Sequence, residues 1–167
     1  MRQSILRYFI SLLLVSLCIC SATSIFIISG SMKEDSEREM MYSVKLIEYN
    51  LDYSKDLNTQ IETLNPLAFS DDTRISVIDE KGQVLADTYK NDISSNHLKR
   101  EEVQQALHSS NHEGYAMRRS ETTNQPLLYA AYYKDNHIIR LSIPYSGVWG
   151  YFPELAPAFA ISILVSI

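Results

Sequence analysis

Two uncharged apolar runs, residues 8–32 and residues 155–167, enclose a polar, acidic stretch of the chain. The first reads YFISLLLVSLCICSATSIFIISGSM. As a helix rising about 1.5 Å per residue, it is long enough to cross the roughly 30 Å of bilayer hydrocarbon. Arg2 and Arg7 precede it; Lys33, Glu34, Asp35, Glu37, Arg38 and Glu39 follow it closely. Basic residues stay on the cytoplasmic side of a crossing. The reading therefore places residues 1–7 in the cytoplasm, 8–32 across the membrane and 33–152 outside. Residues 153–167 read as the start of a second crossing, which makes the chain multi-pass in the cytoplasmic membrane and continues it beyond Ile167. The apolar core of a cleaved signal peptide runs only about 7–15 residues before an A-x-A-like site. This run is longer and has no such site, so a retained anchor is expected.

Charge narrows the partners. Arg2 and Arg7 are two of the fifteen basic residues, and the other thirteen share residues 33–154 with all twenty acids, a balance of −7. An acidic exterior is poor footing for nucleic acid, whose phosphates need a basic face. It suits solubility, a cation or a cationic peptide. The two cysteines, Cys18 and Cys20, both fall inside the apolar run. The outer stretch thus has no disulfide, and C-x-C within an apolar span lacks the spacing of a structural zinc site.

Periodicity gives the elements. Met40, Val44, Ile47, Leu51, Leu57, Ile61 and Leu64 fall mostly at steps of three and four. That is one stripe of a helix. The spacing predicts a single helix continuing from the membrane run to residue 64 and stopping at Asn65-Pro66. The period then changes to two. Residues 73–79 are rich in β-branched side chains, Asp79-Glu80-Lys81-Gly82 is turn chemistry, and residues 83–87 form the return strand. A polar connection spans 88–99, and a short helix covers 101–107 with Glu101 and Glu102 at its positive end. Strands follow at 114–120, 126–133 and 138–143, punctuated by Asn124-Gln125 and Asp135-Asn136. Short turns between them favour an antiparallel sheet. The fold class is α+β: a membrane helix running into a long helix, then a domain with a central antiparallel five-stranded sheet and a short helix.

Three segments are familiar together: TRISVIDEKGQVLAD, then Asn96-His97-Leu98 with Arg100, Glu102, Val103 and Ala106-Leu107, then Leu128-Tyr129-Ala130-Ala131 with Ile139-Arg140-Leu141-Ser142-Ile143-Pro144. The set resembles the extracytoplasmic PAS-like (Cache-type) sensor region of bacterial transmembrane histidine kinases, similar to the phosphate-regulon and cell-wall sensor kinases. Where that family often opens the short helix with proline, this chain has Glu101. The resemblance implies a homodimeric signal-input region, with a cytoplasmic autokinase beyond Ile167. That missing region would use ATP and Mg and pass phosphate to a response regulator. No cofactor is expected in residues 1–167. A chemoreceptor, a cyclic-dinucleotide cyclase and a membrane-anchored binding protein are the alternatives, since each can carry the same kind of input.

No catalytic residues are expected. There is no G-x-S-x-G and no H-E-x-x-H. The four histidines, His97, His108, His112 and His137, have no accompanying carboxylate cluster, and His97 reads as a residue fixing the connection onto the sheet. For a small-molecule or protein stimulus, the resemblance implies a pocket between the sheet and the connection. Tyr115, Met117, Arg119 and Tyr129 are the candidate ligand-binding residues, with Arg118 replacing Arg119 if the register slips by one. Arginine beside tyrosine can hold a carboxylate or phosphate. The same aromatics serve equally as core, with the arginines solvated.

Overall fold

The computed structural model describes residues 2–68, 72–89, 96–120, 124–151, 153, 156, 157 and 161. The chain divides into two units: Met1–Glu34 with Gly147–Ile167, and Asp35–Ser146. Helix α1 (Arg2–Asn50) contributes to both. It is the one helix among the described residues long and apolar enough to cross a membrane, with an 18-residue window of mean hydropathy 2.4. The expected start of the second crossing, 153–167, lies almost wholly outside the described residues. Before it, a short 3-10 helix, Gly147–Tyr151, exposes Trp149 and Tyr151.

The second unit is the α+β domain expected from periodicity. Its strands are β1 (Arg74–Asp79), β2 (Val84–Asp87), β3 (Glu113–Arg119), β4 (Pro126–Lys134) and β5 (His137–Pro144). They form one antiparallel sheet in the order β2-β1-β5-β4-β3. The turn chemistry sets the register. In the β1–β2 turn Asp79 Oδ1 accepts hydrogen bonds from the amides of Lys81 and Gln83, at 3.0 and 2.7 Å. Gly82 supplies the φ of +81° that this turn needs. Between β4 and β5 the two-residue loop Asp135-Asn136 has φ of 47° and 65°. Two left-handed residues match the twist of a tight hairpin, and Asp and Asn tolerate that conformation best.

Alternation along the strands divides the sheet into two faces. One carries Ile75, Val77, Leu128, Ala130, Ile139, Leu141 and Ile143, packed with Met40, Met41, Val44 and Ile47 of α1. The other carries Ile78, Ala131 and Ile138, packed with Val103 and Ala106 of the short helix Glu101–His108.

The expected single helix to residue 64 is corrected. α1 ends at Asn50, and a separate helix, α2, covers Leu57–Leu64; the Glu101–His108 helix is α3. Side chains between them compete for the backbone. Asp52 Oδ1 accepts from the Ser54 amide at 3.0 Å, and Gln60 both accepts from the Asp52 amide and donates to its carbonyl, each at 2.8 Å. Asp56 then caps α2, accepting from the Thr59 amide at 2.9 Å and its hydroxyl at 2.6 Å. Such local bonds offer the chain an exit from helix. Asp56→Ala is expected to lower domain stability by about 1 kcal/mol, measured by chemical denaturation.

Candidate functional site

The face covered by α3 holds most of the domain's buried charge. Glu102, in the first turn of α3, is fully buried. Arg118 on β3 clamps it in two parallel bonds, Nη1 to Oε2 at 2.7 Å and Nη2 to Oε1 at 3.0 Å. The Arg118 guanidinium lies over the Tyr129 ring, 3.6 Å from its centroid, a cation–π contact. Arg140, in the middle of β5, is 3% exposed. Its Nη1 donates to Nδ1 of His97, and its Cζ lies 5.1 Å from the Tyr129 centroid. Its Nε has no hydrogen-bond acceptor; Glu102 Oε1 is 3.7 Å away. Along the sheet toward β2, Arg74 forks onto Asp87 through three contacts of 2.9–3.1 Å, and Ser76 Oγ donates to the same carboxylate at 2.7 Å.

Electrostatics follow from burial and pairing. Burial alone would raise the Glu102 pKa. The Arg118 hydrogen bonds, with the charges of Arg118 and Arg140, more than offset it and hold the carboxyl below its usual value. Burial is also the largest influence on Arg140. Aided by the charges of Arg74 and Arg118, it brings that guanidinium down to about 10 despite Glu102. Arg118 moves the other way: Glu102 outweighs its burial and raises its pKa.

The candidate ligand residues separate between the faces. Tyr129 pairs with Ala116 and lies on the α3 face with Arg118. Tyr115, Met117 and Arg119 alternate onto the opposite face. Tyr115 packs against the α1 cluster, and its hydroxyl donates to Glu113 Oε2 at 3.0 Å. Burial, with Glu113, raises the Tyr115 pKa. Met117 is 52% exposed, and Arg119 is exposed with Nη1 donating to the Asn124 carbonyl at 3.1 Å. The structure therefore brings together Tyr129 and the slipped-register residue, Arg118.

His97 anchors the connection as expected. Its amide donates to the Gly82 carbonyl at 2.7 Å while its ring meets Arg140. Residues 90–95 of that connection lie outside the described residues. His108 ends α3, and His112 follows it with φ of 59°, so the two do not share a helix face. Among the described residues no three His, Cys, Asp or Glu side chains group as metal ligands. Sequence reasoning missed the roles of Glu102, Arg140 and Asp87. A charge flanked by Ile139 and Leu141 in a strand, and one on the apolar side of α3 beside Val103, were the available signals.

No protein-family model matches the chain, and no curated protein does. Solved structures do. A methyl-accepting chemotaxis protein from Vibrio parahaemolyticus is similar at 18% identity and a TM-score of 0.51, over 74% of this chain and 97% of that one. The ligand-binding domain of Campylobacter jejuni chemoreceptor Tlp3, solved with 4-methylisoleucine, matches at 15% identity and a TM-score of 0.50, over 72% of this chain and 55% of that one. The Bacillus subtilis YkuI protein, which has an EAL domain, matches at 16% identity and a TM-score of 0.50, over 77% of this chain. This chain spans only 36% of the YkuI length. The fold is thus shared with the ligand-binding domain of that chemoreceptor.

Proposed function

We propose that residues 35–146 are the extracytoplasmic input domain of a multi-pass membrane receptor. A single observation carries this reading. The helix with the membrane-length apolar window, α1, also supplies Met40, Val44 and Ile47 to the domain core. A stimulus that changes how the sheet packs on α1 would therefore act on a helix that also carries the membrane-length apolar window. The fold shared with a chemoreceptor ligand-binding domain supports an input role. A stimulus would act by binding two packing arrangements with different affinity.

For the output we favour a homodimeric histidine kinase, on the sequence resemblance. The cytoplasmic autokinase, its ATP and Mg, and its response regulator partner then lie with the region beyond Ile167. A chemoreceptor output is the second reading, favoured by the structural neighbours. The gene sequence after Ile167 decides: a dimerisation helix carrying H-E-x-x-x-P is the expected result, and a long methylatable coiled coil would replace the kinase with a chemoreceptor.

A further inference from the structure

The chain that leaves β5 is unlike the rest of the outer stretch. From Leu141 to Pro153 there is no charged residue. Tyr145 still belongs to the domain: it packs on the core beside α1, and its amide donates to the Pro126 carbonyl at 2.9 Å. Gly147 then takes a φ of 55°, and the chain turns into the 3-10 helix Gly147–Tyr151. None of the residues in that helix is buried. Trp149 is 66% exposed and Tyr151 54%. Open apolar residues scattered singly need no explanation, but these two large rings share one short turn of an uncharged stretch.

Their surroundings say what covers them. The turn falls in the unit that contains Met1–Glu34, not in the Asp35–Ser146 domain. That unit holds the membrane-length apolar window of α1. Beyond the turn, Glu154 is the only charge before Ile167. The side chains are themselves of two kinds at once, each an apolar ring with a polar N–H or O–H at one edge. Indole and phenol collect at the boundary between headgroups and acyl chains, where the ring is dry and the polar edge stays wet. A surface for a charged protein partner would carry a matching charge, and residues 141–153 carry none.

We propose that Gly147–Tyr151 is a lipid-docking segment, with Trp149 and Tyr151 seated in the headgroup–acyl boundary of the bilayer that α1 crosses. The lipid it takes is uncharged or zwitterionic. Attraction to anionic headgroups needs Lys or Arg, and neither occurs between Arg140 and Ile167. The segment ties the outgoing end of β5 to the bilayer surface through the residues between Pro144 and Gly147. The proposal rests on the reading that α1 crosses a membrane and not on what the receptor's output is.

Trp149 is the only tryptophan of the chain, so its fluorescence reports this segment without labelling. The full chain is reconstituted in phosphatidylcholine vesicles whose acyl chains carry bromine either near the headgroup or near the terminal methyl. The emission is expected to lie to the blue of indole in water, with shallow bromine quenching at least about twofold more strongly than deep bromine. Adding phosphatidylglycerol is expected to change neither. Trp149→Phe/Tyr49→Trp moves the single indole to an 81%-exposed position on the outer part of α1, where bromine is expected not to quench it. Water-like emission from Trp149 without bromine quenching overturns the proposal. So does stronger quenching by deep bromine, which would put the ring in the hydrocarbon, or equal quenching of the two indoles. A further blue shift with phosphatidylglycerol would overturn the lipid class. Flotation of the same vesicles separates this from the membrane reading. A chain that floats yet leaves Trp149 in water keeps its anchor and loses only the docking segment, whereas a chain left behind loses the anchor itself.

Discussion

Glu102→Ala is expected to destabilise the domain by about 3–5 kcal/mol, the usual cost of removing one partner from a buried ion pair. The size of the loss comes from what remains. Arg118 keeps its guanidinium over Tyr129 with no carboxylate to clamp, and Arg140 loses the anion 3.7 Å from its Nε. Thermal melts of the full chain, followed by tyrosine near-ultraviolet circular dichroism, check this. A loss under about 1 kcal/mol would be that of a solvent-exposed pair and would contradict the burial. The double variant Glu102→Leu/Arg118→Met is expected to recover part of the loss, since apolar replacement removes both desolvated charges. Acid has a matching effect. The Glu102 pKa is lowered on folding, so its stabilisation is present above the unfolded carboxyl value of about 4.3 and fades as pH drops further.

Gly114→Ala is the second large effect, expected to cost about 3 kcal/mol or more, at the upper end for overpacking. Gly114 lies in β3 directly beneath α3. A Cβ there would stand 1.9 Å from the Glu102 carbonyl oxygen and 2.8 Å from the Ala106 amide nitrogen. Both are backbone atoms and cannot rotate away, so α3 must lift from the sheet and take Glu102 from Arg118. Gly30→Ala is the control, because nothing lies within 4 Å of a Cβ there. The same melt should move for Gly114→Ala and stay in place for Gly30→Ala; equal melts would mean that α3 does not ride on β3 as described.

The strands were legible because each announces itself locally. Period-two alternation marks residues 74–79 and 138–143, and Gly82 and Asp135-Asn136 supply the backbone their turns require. The break after Asn50 was hidden by coincidence. Leu57, Ile61 and Leu64 resume the apolar spacing of α1, and Ile61 is buried in the same cluster as Ile47. The signal that outweighs it is short and polar, Asp52-x-Ser54 followed by Asp56.

The site was less readable, for two physical reasons. Arg118 and Arg119 are adjacent, so the choice between them is a choice of strand parity, which no local pattern fixes until Glu113 pairs with Tyr132. The Glu102–Arg118 clamp joins α3 to a strand sixteen residues later, and only tertiary packing of α3 over β3 brings the two together. Arg140 carried the plainest warning, a charge between Ile139 and Leu141 on a central strand.

Cysteine labelling of intact cells tests the account most directly. With Cys18 and Cys20 changed to serine, Glu80→Cys places a single thiol on the exposed β1–β2 turn. A membrane-impermeant maleimide is expected to label it as completely before lysis as after. Labelling that appears only once the cells are broken would put the domain in the cytoplasm and contradict an outward-facing input.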